Sequence, residues 1–495
     1  MDRKRLASGA DAEMSRMKLH RKAMELFSPL RLISKVEIIV RREGKSQLSV
    51  RTVALLRRLA QSSLALPLVA TYVGSKLSRL GPQAIAADPI RLLVLNEERY
   101  RADLAVLAAR PDVELYSLPS RVQHLVNAIW VSQARSVSAV DPDAYLLDQH
   151  PVIRHVRRRL HAFLARLISR LAKKHRLDGI TSCTFYYRQD REWESAGREV
   201  GVPFFALHKE NMKDPVTHGT TIERYKRKGF RFEGDRLFLV NQLEKEVILK
   251  AGCADEGRIS VVGALRMDTL YRRACNPERK PVADKVVLFS THHRLGLLEI
   301  DGVTGVFNSR RDAGFVRHFS VLHGSFARIA LERPQTEFVI KAKWLGIWRD
   351  EIVAAIRGSL GIEPDTIPNL TITDSIPAQD LIDSAMVVVG LNSTTLLEAK
   401  LGKVPVILPL FEEAADKYFA TNVYFQKYMD VFSVADSAEE FCDLLRRSID
   451  GQPPDQKDTP EAMVQDYLGY FDGKVADRVV AIMRRDIESA RQRRA

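Results

Sequence analysis

The stretch from Asp380 to Pro409, DLIDSAMVVVGLNSTTLLEAKLGKVPVILP, is the part of the chain best equipped to hold an anion. An apolar strand, Met386 to Val389, runs into Gly390, and Asn392, Ser393, Thr394 and Thr395 then open a helix. That order places free backbone N–H groups and three hydroxyls at the carboxyl end of a strand. Open α/β sheets bind ligands at that end, and a helix N-terminus attracts phosphate. Glu398 falls about one turn into the helix, and two readings of it stand. Its carboxylate can accept hydrogen bonds from ribose hydroxyls while the helix start holds phosphates. Alternatively, Thr395-Leu-Leu-Glu398 is a capping box that closes the helix start. Register separates them, because a helix beginning at Ser393 or Thr394 does not fit the box.

Other segments carry reactive or charged groups just after apolar runs. His208 and Glu210, in Phe205-Ala-Leu-His-Lys-Glu-Asn211, follow a strand and are expected to project into a ligand crevice. An imidazole that titrates near neutrality can deprotonate an acceptor hydroxyl, and Glu210 can do the same or orient it. The competing role for His208 is that of a structural hydrogen-bonder. In Val261-Val-Gly-Ala-Leu-Arg-Met-Asp268, Gly263 permits close backbone approach. Arg266 there can pair with phosphate or carboxylate, or merely with Asp268 or Asp235. Ser290-Thr-His-His-Arg294 follows another strand. Its adjacent histidines point different ways on extended backbone, so no shared metal site is expected, and Arg294 is the better phosphate candidate. Lys341 and Lys343 follow a strand, and Asp374 and Ser375 lie in a turn before the helix that leads to the main motif. Ordinary solvation is the plain reading of those lysines, and capping that of Asp374 and Ser375.

These groups need a scaffold that brings strand ends together, and the pattern of the chain supplies one. Short apolar runs alternate with helical periodicity from Ile90 to Val262, and again from Val286 to Leu408, which implies parallel sheets in an α/β fold. A polar stretch between Arg272 and Asp284, with Pro277 and Pro281, separates the two series. The expected organisation is a basic, mostly helical extension over 1–81 with one β-prone run at Val36 to Val40. A Rossmann-like domain follows over 82–276, then a second Rossmann-like domain over 285–437 and helices over 438–495. At 495 residues the chain exceeds a single core.

The net charge of +14 favours partners that carry negative charge. Basic clusters lie near the N-terminus, between Arg154 and Arg176, and at the C-terminus, but no helix-turn-helix, zinc-finger or RNP pattern accompanies them. A nucleic-acid partner is therefore not expected, and an anionic membrane surface suits these clusters. The run Leu64 to Val73, interrupted by Pro67, is too short to span a bilayer and reads as an interfacial or a buried helix. Four dispersed cysteines and the absence of a signal-peptide pattern suggest a cytoplasmic protein, peripheral at most on the inner membrane face.

The strand, Ser-rich turn, helix with an acidic residue and Gly402-Lys-Val-Pro-Val-Ile407 resemble the donor site of GT-B glycosyltransferases. The likeness is to bacterial surface-carbohydrate transferases of the capsule-polysaccharide and CDP-glycerol glycerophosphotransferase kind, and it extends more weakly from about Pro203 to Phe432. It implies a GT-B-like fold of two doubly wound domains facing a cleft. It also implies that Ser393 and Thr394 hold donor phosphate, Glu398 the ribose, and Lys341 or Arg294 the diphosphate charge, with Asp374 and Ser375 packed on the base. Asn392, Thr395 and Arg266 complete this expected donor site. His218 in Thr217-His-Gly219 is similar to the His-Gly of the glycerophosphotransferases and is a reserve base. Where the family carries Lys-x-His-Pro, this chain has Lys341-Ala-Lys-Trp344, which puts the role of that His in doubt.

The implied activity is metal-independent transfer of a sugar or alditol phosphate from a nucleotide donor to a bacterial surface polysaccharide or lipid-linked acceptor, with no cofactor. The alternatives are a sugar-nucleotide epimerase of the same fold and a non-catalytic binding or scaffold protein.

Overall fold

The computed structural model describes residues 65–131, 150–209, 218–276, 284–292, 314–343, 346–416, 423–454 and 456–493. Most of the basic N-terminal extension, the run Val36 to Val40, the separator 277–283, and the candidates Glu210, His293, Arg294 and Trp344 lie outside them. By its internal contacts the chain divides into two units. The first comprises the described residues up to Leu207, with Phe230–Leu237 and those from Ile482 on. The second comprises His208–Gly229 and Phe238–Ala481.

In chain order the first elements are α1 (Ala65–Ser75), β1 (Ser78–Leu80), β2 (Ile90–Val94), α2 (Arg101–Ala108), β3 (Val113–Ser117), α3 (Ser120–Val131), α4 (Pro151–His175), β4 (Gly179–Ser182), α5 (Arg191–Glu199) and β5 (Phe204–Leu207). The described part of the Leu64 to Val73 run lies in a core helix: Leu66, Val69, Ala70, Tyr72 and Val73 of α1 are buried and the helix packs on α4. Helix α4 buries Ile153, Val156, Leu160, Phe163, Leu164, Leu167, Ile168 and Leu171, the three-to-four spacing of an apolar stripe. It starts with Pro151 at its first position, where the missing N–H costs nothing, and stops at Arg176 in the left-handed conformation (φ 53).

The chain continues through α6 (His218–Lys228), β6 (Arg236–Leu239), α7 (Gln242–Lys250), β7 (Ile259–Val261), α8 (Met267–Ala274), β8 (Lys285–Phe289), α9 (Val316–Glu332), β9 (Glu337–Lys341), α10 (Gly346–Leu360), β10 (Leu370–Thr373), α11 (Ala378–Ser384), β11 (Ala385–Gly390), α12 (Thr394–Leu401), β12 (Val406–Pro409), β13 (Ser433–Ala435), α13 (Ala438–Ile449), α14 (Glu461–Tyr467) and α15 (Val475–Gln492).

Two sheets result, ordered β1-β3-β2-β4-β5-β6-β7 and β10-β9-β8-β11-β12-β13. Strands β2, β3, β4 and β5 pair in parallel, with β1 added antiparallel to β3. Every pairing in the six-stranded sheet is parallel. Strands covered on both faces read as unbroken apolar runs, and Val286–Phe289, Phe338–Ile340, Val387–Val389 and Val406–Leu408 are buried throughout. The fold class is therefore α/β with two doubly wound sheets, as the alternation of the sequence implies.

The topology also fixes where ligands have access. In the six-stranded sheet the chain lays down β8, turns to one side for β9 and β10, then returns to the other side for β11, β12 and β13. The switch point lies between β8 and β11, and the crevice outside the carboxyl ends of those strands is the binding position of this architecture. In the other sheet β3 lies on one side of β2 and β4 on the other, so the equivalent point falls between β2 and β4.

Candidate functional site

The Asn392 to Thr395 turn lies at the β8/β11 switch point. Strand β11 ends at Gly390, where a Cβ would stand 3.0 Å from the Phe289 carbonyl oxygen, so the two strand ends run closely together. The loops are tied above them: the Thr291 hydroxyl donates to the Leu391 carbonyl at 2.6 Å, and the Asn392 Oδ1 accepts the Tyr424 amide at 2.9 Å. Asn392 takes the left-handed conformation (φ 54), which its short amide side chain tolerates. Ser393 is the N-cap of α12. Its Oγ accepts the Thr395 amide at 3.3 Å and lies 2.7 Å from the Thr395 hydroxyl. Asn392, Ser393, Thr394 and Thr395 are all partly exposed, whereas Leu396, Leu397, Glu398 and Ala399 are buried. The Thr394 amide has no intrahelical acceptor, as at any helix start.

This register excludes the capping box, because the helix begins at Thr394. Glu398 is only 2% exposed and faces elsewhere. Its Oε1 accepts from Arg266 Nε at 2.9 Å and its Oε2 from the Gln379 side-chain amide. Two candidates 132 residues apart in the chain thus form one partly buried ion pair. Asp268 accepts the Val475 and Ala476 amides at the start of α15, and Asp235 accepts the Phe204 amide. Gln379 was missed because a glutamine in the first turn of a helix carries no signal of its own.

The remaining donor-side candidates end nearby strands but have partners of their own. Lys341, at the end of β9, donates Nζ to the carbonyls of Asp374 (2.6 Å) and Ala342 (3.1 Å), and burial lowers its pKa. The Lys341 ammonium therefore first serves to hold the Asp374 turn. The Thr373 hydroxyl accepts the Ser375 amide at 3.1 Å in a local turn and Asp374 is exposed, but neither Asp374 nor Ser375 caps α11, whose N-cap is Pro377 with no side-chain cap bond.

His208 departs from expectation. It does not project into an open crevice: the residue is 2% exposed, with Nε2 3.2 Å from Glu244 Oε1. Tyr225 donates to the same oxygen at 3.4 Å, and Glu244 is fixed at the start of α7, where Asn241 Oδ1 accepts its amide at 2.8 Å. Asn241-Gln-Leu-Glu244 has the spacing of a helix start, but nothing in that spacing marks the 36-residue reach of Glu244 back to His208. His218 Nε2 lies 3.3 Å from the Leu243 carbonyl.

Two histidines overlooked in the sequence lie behind the turn. His323 Nδ1 is 2.7 Å from the Phe319 carbonyl, which can only accept, so that nitrogen carries the proton and Nε2 accepts from Ser290 Oγ at 2.9 Å. His318 Nε2 donates to the Pro409 carbonyl at 2.9 Å. A cavity of about 10 Å³, room for roughly one water, lies between Thr291, His292, His318 and Asn392. A far larger one, about 1040 Å³, opens by Ala385, Met386, Val404 and Pro405, at the amino ends of β11 and β12. That is the wrong end of the strands for the chemistry above, so size does not identify the site. Among the described residues no group of three His, Cys, Asp or Glu side chains is placed to hold a metal ion.

Burial pushes His318 and His323 down to about 4. An unfolded chain binds these protons below pH 6.5 and the folded one does not. Their contribution to stability is therefore complete above that value and is lost as pH falls toward 4. In urea denaturation the stability gap between the wild type and His323→Gln is expected to narrow from pH 7.5 to pH 5. A gap that stays constant would contradict the neutral, buried assignment.

No protein-family model matches the chain, and no curated protein matches it. Among solved structures it is similar to the UDP-GlcNAc 2-epimerase from Neisseria meningitidis bound to UDP-GlcNAc (11% identity, 80% of this chain and 100% of that one, TM-score 0.40). It is also similar to the wall teichoic acid polymerase TagF (15%, 66% and 76%, TM-score 0.42). A third similar structure is an α,α-trehalose-phosphate synthase (UDP-forming) from Burkholderia vietnamiensis (14%, 81% and 98%, TM-score 0.41). The fold class itself rests on the two doubly wound sheets of this chain, an α/β architecture with a half-exposed helix start at one switch point.

Proposed function

We propose that the chain is a GT-B-type transferase that moves a sugar or an alditol phosphate from a nucleotide-activated donor to a surface polysaccharide or a lipid-linked acceptor. The observation that carries this reading is the start of α12. It is partly open at the β8/β11 switch point, capped by Ser393 and lined by the hydroxyls of Thr394 and Thr395. A diphosphate there meets the Thr394 amide and the positive end of the helix, and charge developing on the leaving phosphate is stabilised by the same groups. Glu398, held by Arg266 and Gln379, is assigned to the ribose side of this site. Its low exposure means that a ribose reaches it only at the edge of the Arg266 pair.

An anionic lipid surface as the place where the acceptor is met is supported by α4, whose charged residues are all basic. Arg154, Arg158, Arg166, Arg170, Lys173 and Lys174 lie on its exposed face. Among the described residues no helix is long and apolar enough to cross a membrane.

The test is product analysis with UDP-sugars and CDP-glycerol, each with and without a glycan acceptor. Transfer is expected to release the free nucleotide together with an extended acceptor. A nucleotide sugar recovered intact but epimerised would overturn the transfer reading.

A further inference from the structure

Helices α4 and α5 carry a second chemical constellation, and every residue in it belongs to the first unit. Ser195 and Glu199 stand four residues apart on α5, hence on one face of that helix, and both reach His161 of α4. His161 Nδ1 is 2.9 Å from Ser195 Oγ, and His161 Nε2 is bonded to Glu199 Oε2. A carboxylate can only accept, so Nε2 carries the proton of a neutral imidazole. Nδ1 is then the acceptor for the Ser195 hydroxyl proton. The other acceptor near that hydroxyl, the Arg191 carbonyl one turn back, is at 3.4 Å and is the weaker. Nucleophile, base and a carboxylate that orients the base is the order of groups that activates a serine.

A small reagent has access to all three groups. Ser195 is partly exposed, and the His161 and Glu199 side chains are 28% and 58% exposed. Two cations flank them. Arg158 lies three residues before His161 on α4, and Arg198 three residues after Ser195 on α5, a spacing that puts each on the helix face of its neighbour. Both are exposed, and neither forms an ion pair among the described residues.

We infer that Ser195 is an activated nucleophile that takes an acyl group from an acyl phosphate, a chemistry independent of the donor site on the second unit. Ser195 Oγ attacks the acyl carbonyl carbon while its proton passes to His161 Nδ1. The bond from that carbon to the phosphate oxygen breaks, phosphate leaves with the electron pair, and the imidazolium gives its proton to phosphate or water. The products are an O-acylserine and inorganic phosphate. The flanking cations select the donor class, since guanidinium groups attract a phosphate leaving group and stabilise the charge it carries away. Ser195 lies past the first turn of α5, where backbone amides bond within the helix, so they do not form an oxyanion hole. The O-acylserine is therefore expected to accumulate rather than to be hydrolysed rapidly, which makes Ser195 a modification site.

The test is incubation of the full chain with acetyl phosphate and, separately, with neutral p-nitrophenyl acetate. Acetylation is followed by mass spectrometry of the tryptic peptide Glu192–Arg198, which contains one hydroxyl residue, Ser195, and no lysine. Both reagents are expected to acetylate that peptide. His161→Gln is expected to slow both reactions about 100-fold. Glu199→Gln alters only an exposed side chain, and it is expected to slow both about tenfold without lowering the melting temperature. Replacing Arg158 and Arg198 together with glutamine is expected to slow the acetyl phosphate reaction about fivefold and to leave the p-nitrophenyl acetate reaction unchanged. An unacetylated peptide with both reagents, or wild-type rates in His161→Gln and Glu199→Gln, overturns the activated serine. An equal effect of the double arginine variant on the two reagents, or none on either, overturns the acyl phosphate assignment.

Discussion

Replacing Thr394 with aspartate is expected to leave the second unit as stable as before, or slightly more so, and to cut nucleotide affinity about 100-fold. Thr394 is the first residue of α12 and is partly exposed. A carboxylate in the first turn of a helix is favoured by the dipole by roughly 0.3–1 kcal/mol, so the fold does not suffer. The same carboxylate would occupy the field proposed for the diphosphate. A like charge about 5 Å from a phosphate costs on the order of 3 kcal/mol at an effective dielectric of about 20, or about two decades in affinity. Thermal melting alongside calorimetric titration with UDP separates the two effects. A variant that melts normally and binds UDP as the wild type does would place the nucleotide elsewhere.

Asp190→Ala is expected to destabilise the first unit by roughly 3 kcal/mol, because the Asn96, Ser182 and Gln123 donors all lose their shared carboxyl, leaving the Ser182 hydroxyl without an acceptor and Asn96 and Gln123 with only their weaker bonds to Ser182 Oγ and the Gln189 carbonyl. The cost depends on pH in a direction fixed by the physics. Burial raises the Asp190 carboxyl to about 6, against the opposing pull of its hydrogen bonds from Ser182, Asn96 and Gln123. An acid with a raised folded pKa contributes stability that is complete below its unfolded value of about 3.9 and is lost as pH rises through about 6. The penalty of Asp190→Ala in urea denaturation is therefore larger at pH 4.5 than at pH 7.5, by about 2 kcal/mol. This is the opposite trend to that expected for His323→Gln. A penalty that grows with pH would mean that the network holds a carboxylate ionised throughout.

Much of the fold was legible because parallel strands covered on both faces leave apolar runs that few other structures produce, and Val387–Val389 and Val286–Phe289 announce themselves. The antiparallel β1 did not. Ser78–Leu80 is three residues long, with two exposed side chains, and nothing in its composition marks a strand. The α12 turn was legible because a strand, a Gly and a run of hydroxyl residues are local and contiguous. What Glu398 does was not, since its partners Arg266 and Gln379 lie on other elements and only the register of the helix start separates a cap from an ion pair. His208 shows the same limit from the other side. That a polar residue follows a strand says nothing of whether Glu244 and Tyr225 will enclose it. The Asp190 network joins positions as far apart as Asn96 and Asp190, and each residue read alone is an ordinary Asn, Gln, Ser or Asp.

The central claim, that a nucleotide diphosphate sits on the start of α12, is tested most directly by amide hydrogen exchange of the intact chain with and without UDP. Slower exchange is expected in peptides covering Ser290–His292 and Gly390–Leu397, where the amides at the β8/β11 switch point would become bound. Unchanged exchange there under saturating UDP, with protection appearing in another part of the chain, would contradict the account.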